Sequence, residues 1–430
     1  MHSRNTVRYY LAIAALLIFF FFSNDFGLID IQKTALIMAV GIDREDNTFI
    51  VTTQIAVPEA SSQGEQAQAV QIESRGDTVA DALSQINVKT GWYPKLVFCN
   101  LIIIGQEAAK RNVFDALDFF LRDEYMSDGC LVATCEGTAK EILNTKTPID
   151  PMSSVAAQKV LSLHAKQVGT AAPNTLREFS MGYFSNSKSS YMPILKPEKQ
   201  QESSGEKSGE NSEGGQEEKK NGEEQGAYGG TPEKNGGQAA VPAAAGGEES
   251  GSKSAPGGQQ PEKVFSASET ALFYDGVAVE KLNPEETFAF CMVKNKLRLA
   301  SYAVESEGSP YTLNIKSNKP SIKFSVDDNS MAKLKIHIKA TAGVQDTSFS
   351  QTVTELSNAG AVPEKVFEAA EKDLKKQITT VFDKSRKSRC DAFNILERLQ
   401  KFENNYFPAF REDILDRLIL HVEVEFESLR

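Results

Sequence analysis

Histidine, the side chain that most often serves as a general base near neutral pH, occurs four times in this sequence. His2 precedes an apolar run, and His337 and His421 lie in alternating apolar and polar segments typical of strands. His164, in the segment LSLHAK, is therefore the one candidate general base. No G-x-S-x-G, H-E-x-x-H or glycine-rich nucleotide loop accompanies it. We interpret His164 as a structural histidine and predict no catalytic residue.

Carboxylates are plentiful, and the segment Arg122-Asp123-Glu124 is the one most suggestive of acid and base chemistry. A capped, solvated helix end explains that segment equally well. A second acidic segment, Asp43 to Asn47, could offer oxygen ligands to calcium, but it lacks the glycine and the distal glutamate of an EF-hand loop. We interpret it as a solvated turn between two strands.

The sequence has five cysteines, namely Cys99, Cys130, Cys135, Cys291 and Cys390. Their number is odd, and their spacing gives neither a CxxC motif nor a metal-ligand pattern with histidine. We interpret them as buried apolar side chains rather than disulfide partners. Gly246 to Ser254 is close to a phosphate-binding loop, but Ser252 separates the glycine and lysine that the motif needs adjacent. The sequence therefore predicts no metal and no cofactor.

The rest of the chain is organised behind an apolar run near the N-terminus, Tyr9 to Phe22. As a helix this run covers roughly 20 Å, which is shorter than the hydrocarbon core of a bilayer and within the length of a signal peptide. It ends in four phenylalanines, whereas cleavage needs small residues. Arg4 and Arg8 favour a cytoplasmic N-terminus. We predict an uncleaved signal or anchor helix at 1–23 with an extracytoplasmic body, and a cleaved export signal is the alternative.

Composition divides the remaining chain into segments. The length of 430 residues suits two or three domains, and the net charge of −11 argues against a nucleic-acid partner. Residues 198–263 are almost entirely glycine, glutamate, serine, lysine, glutamine and alanine, which predicts a disordered low-complexity linker. Around it we predict N-terminal α/β structure at 24–197, a middle hairpin and helix region at 264–310, and a C-terminal α+β domain at 311–430.

Strand and helix patterns alternate before the linker. Thr34 to Ile42 and Thr48 to Val57 predict a hairpin, and Leu96 to Ile104 predicts a buried central strand. The other predicted elements are a helix from Asp77, a helix carrying Val113, Leu117 and Phe120, a strand from Cys130 to Cys135, and a helix from Thr138 to Leu143.

After the linker, Asp275-Gly276 between two apolar runs predicts a tight hairpin, and Pro363 begins an amphipathic helix. Two later segments, Lys333 to Ala340 and Leu420 to Phe426, alternate apolar residues with charges of opposite sign. We predict that these two strands share a sheet, with lysines facing glutamates across or near the pairing. Two separate solvated faces are the alternative.

Short segments recur in a recognisable order: IQKTA and VGID at 31–43, GDT at 76–78, LIIIG at 101–105, RD at 122–123, TAKEIL at 138–143, ALF with DGV at 271–277, and the helix at 365–391. Their order and spacing resemble the C-subunit family of spore germinant receptors, Ger(x)C. The resemblance implies an α+β fold of three mixed α/β domains behind an N-terminal membrane anchor. It also implies a place on the outer face of the inner spore membrane, beside multipass membrane subunits.

Two departures from that family bear on the anchor and on one strand. The family usually has a lipobox cysteine just after the apolar run, whereas the first cysteine here is Cys99, so we expect a helix to replace the lipid. The family also usually has a histidine before the Leu101 strand, where this chain has Cys99-Asn100.

Sequence and resemblance together predict a non-catalytic, membrane-tethered subunit of a spore germinant receptor that acts in germination through protein contacts. Its expected partners are the membrane and the multipass receptor subunits. The alternatives are an exported module that binds the germinant or another ligand, and an envelope-associated hydrolase.

Overall fold

The segments with strand and helix periodicity form mixed secondary structure in a computed structural model of the chain. The structure describes residues 3–23, 34–56, 69–148, 150–162, 169, 171–199, 263–297, 299–326, 331–347 and 362–429. The helices are α1 Ser3–Ser23, α2 Val79–Thr90, α3 Gln106–Ala109, α4 Phe114–Arg122, α5 Ala139–Leu143, α6 Ser153–Val160, α7 Leu176–Tyr183, α8 Pro284–Val293, α9 Glu364–Ser388, α10 Ile395–Phe402, α11 Phe407–Phe410 and α12 Ile414–Arg417. The strands are β1 Thr34–Glu45, β2 Thr48–Ala56, β3 Ala69–Gly76, β4 Tyr93–Lys95, β5 Leu101–Ile104, β6 Leu131–Cys135, β7 Asn174–Thr175, β8 Ser189–Lys199, β9 Lys263–Tyr274, β10 Val277–Leu282, β11 Ala300–Ser306, β12 Ser309–Val326, β13 Ala332–Thr347 and β14 Leu418–Ser428.

The first hairpin is confirmed, but its turn is shorter than predicted. Strands β1 and β2 pair antiparallel up to Glu45 opposite Thr48, so only Asp46 and Asn47 form the turn. Asp46 has a φ of 49°, a left-handed conformation that aspartate tolerates in tight hairpin turns. The predicted five-residue solvated turn is therefore wrong for Asp43, which lies in β1 and is buried.

A ten-stranded mixed sheet contains all ten strands described up to residue 282, β1 to β10. Its order is β10-β9-β8-β6-β5-β1-β2-β3, with β4 beside β1 and β7 beside β6. The predicted central strand is shorter than expected, because only Leu101–Ile104 pairs in parallel with both β1 and β6. Before it, the Cys99 N–H donates to the carbonyl oxygen of Leu96 in a turn, which ends the ladder on that side.

The strands on either side of the predicted linker pair with each other. Strands β8 and β9 run antiparallel, and Lys199 lies opposite Lys263 at their ends. The first two and the last of the residues predicted as linker are therefore in strands, and residues 200–262 lie outside the described residues. Strand β9 continues into β10 through the predicted Asp275-Gly276 turn, which confirms that hairpin. The hairpin thus extends the same sheet that the residues before the linker form.

A second sheet of four described strands has the order β11-β12-β13-β14. Strands β13 and β14 are parallel neighbours, with His337 opposite Glu423 and Lys339 opposite Glu425. Parallel neighbours need a crossover connection, and helix α9 lies in it. Its apolar residues Val366, Ala370, Leu374, Ile378, Val381 and Phe382 are buried. The prediction that the two strands share one sheet is confirmed.

Helix α8 lies deep in the core that joins the two sheets. Every residue from Glu286 to Val293 is buried, and the helix packs in one apolar cluster with residues of β9, the second sheet and α9. Asn283 and Glu286 form a capping box at its start, and Lys384 of α9 reaches Glu286 at 2.8 Å. This buried helix fixes the position of the residues that follow it.

The predicted fold class is confirmed as mixed α/β, in two sheets within the described residues. The division into three domains, with its boundaries, stays a prediction. Helix α1 has 21 residues, and the described side chains at 9–19 are exposed. Over the described ranges, no helix combines the length and the hydropathy that a membrane crossing requires.

Candidate functional site

A cleft of about 540 Å³ lies between helix α7, strand β8, the residues after helix α8 and the segment 391–400. The side chains that decide its chemistry are Glu178, Tyr191, Lys294, Lys296, Asp391 and Asn394. They come from three parts of the chain that are far apart in sequence. The volume lies within the range of small-molecule sites in proteins, roughly 300 to 1,000 Å³.

Asp391 is held at the cleft by the turn that follows helix α9. The helix ends at Arg389 in a left-handed conformation, and the Asp391 N–H donates to Oγ of Ser189 at 2.8 Å. Its Oδ2 accepts the N–H of Leu396 at 2.8 Å, in the first turn of helix α10. Its buried Oδ1 has no hydrogen-bond partner in the described part of the chain. Burial raises the pKa of this carboxyl, against the lowering effect of the helix N–H groups and of Lys294.

Lys294 is half-buried because it follows directly from the buried helix α8. Its Nζ donates to Oδ1 of Asn394 at 2.6 Å and lies 5.8 Å from the ring centroid of Tyr191. Burial, together with repulsion from Lys296, lowers the pKa of Lys294 to about 8, while Asp391 and Glu397 oppose that shift. A lysine with this pKa still carries its proton at neutral pH.

Lys296 is the second lysine that lines the cleft. Its Nζ donates to Oε2 of Glu178 at 3.0 Å, to the carbonyl oxygen of Pro173 at 3.3 Å and to the hydroxyl of Tyr191. The same ammonium lies 4.9 Å from the ring centroid of Tyr191. Burial raises the pKa of that tyrosine, so its hydroxyl stays neutral. Lys296 is therefore engaged with protein groups that hold it in place.

The cleft is lined by the carboxyl group of Asp391 and by the half-buried Lys294. Lys294 can donate to a polar molecule that enters the cleft. The residues that line the cleft include no histidine, serine-histidine pair or cysteine. The arrangement is therefore suited to binding.

The described histidines lie in the second sheet, outside the cleft. His337 Nε2 is 3.2 Å from Glu425, and His421 Nε2 is 3.0 Å from Glu423. Both strand assignments are confirmed. The candidate general base His164, and His2, lie outside the described residues.

The carboxylate candidates have structural partners. Arg122 pairs with Asp118 at 2.9 Å one turn earlier on α4, and Asp123 Oδ1 accepts the N–H of Tyr125 at 2.9 Å, so this segment is an exposed helix end. The buried Asp43 accepts the N–H groups of Ala139 at 2.8 Å and Lys140 at 3.1 Å, which start helix α5. Burial raises its pKa, although those N–H groups lower it. Asp43 therefore caps a helix.

All five cysteines are free and buried, which confirms the interpretation of these side chains as buried and outside disulfides. Burial raises the pKa of the Cys135 thiol and raises that of Cys390 to about 12, which keeps both protonated. Across the described ranges, no group of histidine, cysteine and carboxylate side chains could hold a metal ion.

Sequence reasoning did not find the cleft. Lys294 and Asn394, which are hydrogen-bonded, are 100 positions apart in the chain. None of the residues that line the cleft belongs to a recognisable motif in its own segment. Lys294 follows helix α8, and the sequence did not indicate that this helix is buried. A lysine directly after a wholly apolar helical segment is the one signal that could have pointed to it.

The chain can be compared with known proteins. Residues 28–197 match the family model of the spore germination protein N-terminal domain, and residues 268–428 match that of the spore germination B3/GerAC-like C-terminal domain. The chain therefore belongs to the Ger(x)C family of spore germination proteins, as the resemblance in its sequence predicted.

Among solved structures, the chain is similar to the crystal structure of the GerBC protein. The two are 14% identical, with a TM-score of 0.47, and the similarity covers 93% of this chain and 99% of that one. A comparison with curated proteins gave no match.

Proposed function

We propose that this protein is a non-catalytic, membrane-tethered subunit of a spore germinant receptor that works through contacts with multipass membrane subunits. The observation that carries the proposal is the match of both halves of the chain, in order, to the two domains of one germination family. The described catalytic candidates have structural roles, which supports a function based on assembly.

The proposed tether is helix α1, with the body on the extracytoplasmic side. The described side chains of this helix are apolar and exposed, with Tyr9 at 71%, Leu11 at 65% and Phe19 at 72%. Exposed apolar surface of this extent costs free energy in water and is covered when the helix enters lipid. Arg4 and Arg8 before the run favour a cytoplasmic N-terminus.

One exposed apolar surface supports contacts between proteins. Tyr93 and Tyr125 flank Lys95, whose Nζ lies 5.6 Å and 4.2 Å from their ring centroids. Both tyrosines are exposed, as are Val97 and Phe98 close by in sequence. Aromatic side chains are enriched where proteins bind one another. We assign this surface, the Lys95 patch, to contact with a receptor subunit.

Co-purification tests the proposal. The tagged full chain, extracted from spore membranes in mild detergent, should bring multipass membrane subunits with it. A double variant, Tyr93→Ser with Tyr125→Ser, should reduce their recovery severalfold, whereas Tyr406→Ser, at another exposed tyrosine, is the matched control. Purification of the wild-type chain without membrane partners would contradict the proposed assembly.

The tether has its own test. Mass spectrometry of the mature protein should find an intact N-terminus without lipid, and removal of residues 1–23 should release a folded body from the membrane. A mature chain that begins near Ser23 would contradict the uncleaved anchor, and an attached acyl chain would contradict the helical one.

A further inference from the structure

We propose that strand β14 pairs with the β14 strand of a second copy of this chain, so that two copies join their four-stranded sheets edge to edge. Strand β14 ends the sheet order β11-β12-β13-β14, and among the described residues only β13 lies beside it. Such an edge carries backbone donors and acceptors that can pair with another strand. The inference goes beyond the proposed assembly with membrane subunits, because it concerns contact between two copies of one chain.

Side chains of helix α9 occupy both ends of this edge. The Phe426 N–H donates to Oε1 of Glu371 at 2.8 Å. The carbonyl oxygen of Leu418 accepts from Nη2 of Arg386 at 2.8 Å. Both backbone groups therefore point away from β13, and both already have a partner.

The three residues between these ends that share their orientation leave the edge open. Backbone groups alternate in direction along a strand, so the N–H and C=O of Leu420, Val422 and Val424 also point away from β13. The described structure shows no hydrogen bond from them on that side. This open stretch therefore offers three N–H donors and three C=O acceptors to an added strand.

A groove of about 440 Å³ leaves room beside the open stretch. Val422 and Val424 line it on the strand side, and Lys372 and Lys375 line it on the helix side. Main-chain hydrogen bonds to an exposed sheet edge are a recurrent way in which proteins take up an extended segment. The edge of β14 is therefore both unpaired and reachable.

Two other edges in the described structure carry features that discourage strand pairing. Strand β10 has a register shift between Ala278 and Glu280, and its Lys281 carbonyl oxygen accepts from Nζ of Lys384. The part of β12 that extends beyond β11 contains Pro320, which has no N–H. Natural sheets blunt their edges with such bulges and prolines. Strand β14 has 11 residues, no proline and an unbroken register with β13.

The open stretch is centred on Val422, and that centre suits a two-fold axis. The occupied ends, Leu418 and Phe426, each lie four positions from it. In an antiparallel pair of two copies centred there, Val422 would face Val422 of the second copy, and Leu420 would face its Val424. Each of these residues directs its backbone groups outward, as a hydrogen-bonded pair requires. One self-complementary surface is enough for a closed contact of this kind.

The charges beside the edge are complementary in the same register. His421 lies 3.0 Å from Glu423 of its own chain, and it would also face Glu423 of the second copy. Arg386 at one end of the edge would approach Glu371 of the second copy, which occupies the opposite end. The next register in either direction would place Glu423 or His421 opposite itself and lose these attractive pairs, so the charges favour the pairing centred on Val422.

Analytical ultracentrifugation of the full chain in density-matched detergent tests the proposal. Wild type should show a monomer–dimer equilibrium. His421→Glu should weaken the dimer about tenfold, because carboxylates then face each other at two places, and Glu423→Lys should weaken it severalfold. An equimolar mixture of these two variants should dimerise again, because the glutamates of one chain face basic residues of the other.

The mixture also shows that both variants fold. Glu107→Lys, at an exposed position on helix α3 beside the other sheet, is the charge-matched control and should dimerise as wild type does. A wild-type chain that stays monomeric at every concentration would overturn the proposal. Equal dimerisation of wild type and both β14 variants would overturn the assignment to β14.

Disulfide trapping tests the register. His421→Cys and Glu423→Cys chains with different tags should cross-link when mixed, because the Cα atoms of such a facing pair lie about 4.5 Å apart. Each variant alone should cross-link far less, since diagonal neighbours are about 7 to 8 Å apart. The native cysteines are buried, so the introduced thiols are the accessible ones.

The same variants separate the possible occupants of the edge. Cross-linking of Glu423→Cys to a different protein of the spore membrane, and not to a second copy, would overturn the proposal. Loss of the membrane subunits with the dimer retained would count only against the proposed assembly.

Discussion

Two buried aspartates show how a residue's role depends on how many of its oxygens are occupied. Asp43 uses both oxygens to accept N–H groups at the start of α5. Asp391 uses Oδ2 to accept an N–H at the start of α10, and its buried Oδ1 has no hydrogen-bond partner within the described residues. The first arrangement satisfies both oxygens, and the second leaves one buried oxygen without a partner among the described residues. The same chemical group is therefore fully hydrogen-bonded in one place and only partly so in the other.

Replacement of Asp43 by asparagine should destabilise the fold. The amide nitrogen would then face a backbone N–H of helix α5, which leaves one buried hydrogen bond unmade. Gly105 lies against this carboxylate so closely that a Cβ there would be 1.9 Å from Oδ1, so the side chain has little room to rotate. We expect Asp43→Asn to lower the free energy of unfolding by about 1 to 3 kcal/mol.

Urea denaturation of the soluble body measures that loss. Asp46→Asn removes a carboxylate from the same hairpin at an exposed position and is the matched control, with an expected change within about 0.5 kcal/mol. Equal effects of the two substitutions would show that Asp43 does not act as a cap.

Lys294 should make stability depend on pH in the alkaline range. Its pKa of about 8 in the folded protein lies below the ~10.4 of an exposed lysine. Between these values the unfolded chain binds the proton and the folded chain does not, so the free energy of unfolding rises with pH. The charged groups around it are Lys296, Asp391, Glu397 and Arg398.

We therefore expect wild type to gain about 1 to 2 kcal/mol over Lys294→Met between pH ~8 and ~9.5. Urea unfolding at several pH values measures the difference, with Lys401→Met, at an exposed position on α10, as the matched control. A difference between wild type and Lys294→Met that stays constant with pH would show that the buried amine is not titrating there.

At the scale of elements, charge pattern and register agree in the second sheet. Lys335 reaches Glu423 at 2.6 Å and Lys339 reaches Glu425 at 3.1 Å, each across the parallel β13–β14 pair. These side chains are on the solvated face, where ion pairs contribute little to stability. A shift of one residue in either strand would move the buried apolar side chains of that strand to this face, so burial fixes the register and the charges agree with it.

A double-mutant cycle on Lys335 and Glu423 should show a small favourable coupling at low salt, and the coupling should vanish near 1 M salt because exposed charges are screened there. Lys335 with Glu425 is the matched control, since Glu425 lies opposite Lys339 in the register and pairs with it. Coupling of equal size in both cycles would show a diffuse electrostatic effect instead of a specific pair.

At the scale of the whole molecule, the position of the predicted linker is informative. The strand ends at Lys199 and Lys263 lie opposite each other, so the segment between them leaves and re-enters the sheet at one point. Its length then has little influence on the folded body, because the entropy of loop closure changes only weakly with loop length.

Replacement of residues 200–262 by a short glycine-rich turn should therefore leave the thermal transition of the body within a few degrees of wild type. Differential scanning calorimetry measures it. A variant with the same turn that also lacks Glu198 and Lys199 is the contrasting case, because it removes paired strand residues and should unfold earlier. A large loss of stability from the first replacement would show that the segment packs against the body.

The sequence by itself determined the elements with local signals. These elements depend on residues only a few positions apart, so the sequence alone predicts them. They are the Asp275-Gly276 turn, the start of α9 at Pro363, and the alternation in β13 and β14. The family was also readable, because short segments recur in a fixed order. The predicted strand from Leu96 to Ile104 was longer than the observed strand, Leu101–Ile104. The reason is that hydrogen-bonding partners, and not apolar character, decide where a strand ends.

Only the tertiary structure decided which residues share an environment. The sequence predicted Asp43 to lie in a solvated turn, but in the structure it accepts N–H groups of helix α5. The environment of Lys294 depends on α8, whose residues Glu286 to Val293 are all buried. The cleft joins Tyr191, Lys294 and Asp391 from separate segments, and nothing local in the sequence links them. Burial and unpaired hydrogen-bonding groups are properties of packing, and packing is set by contacts between distant parts of the chain.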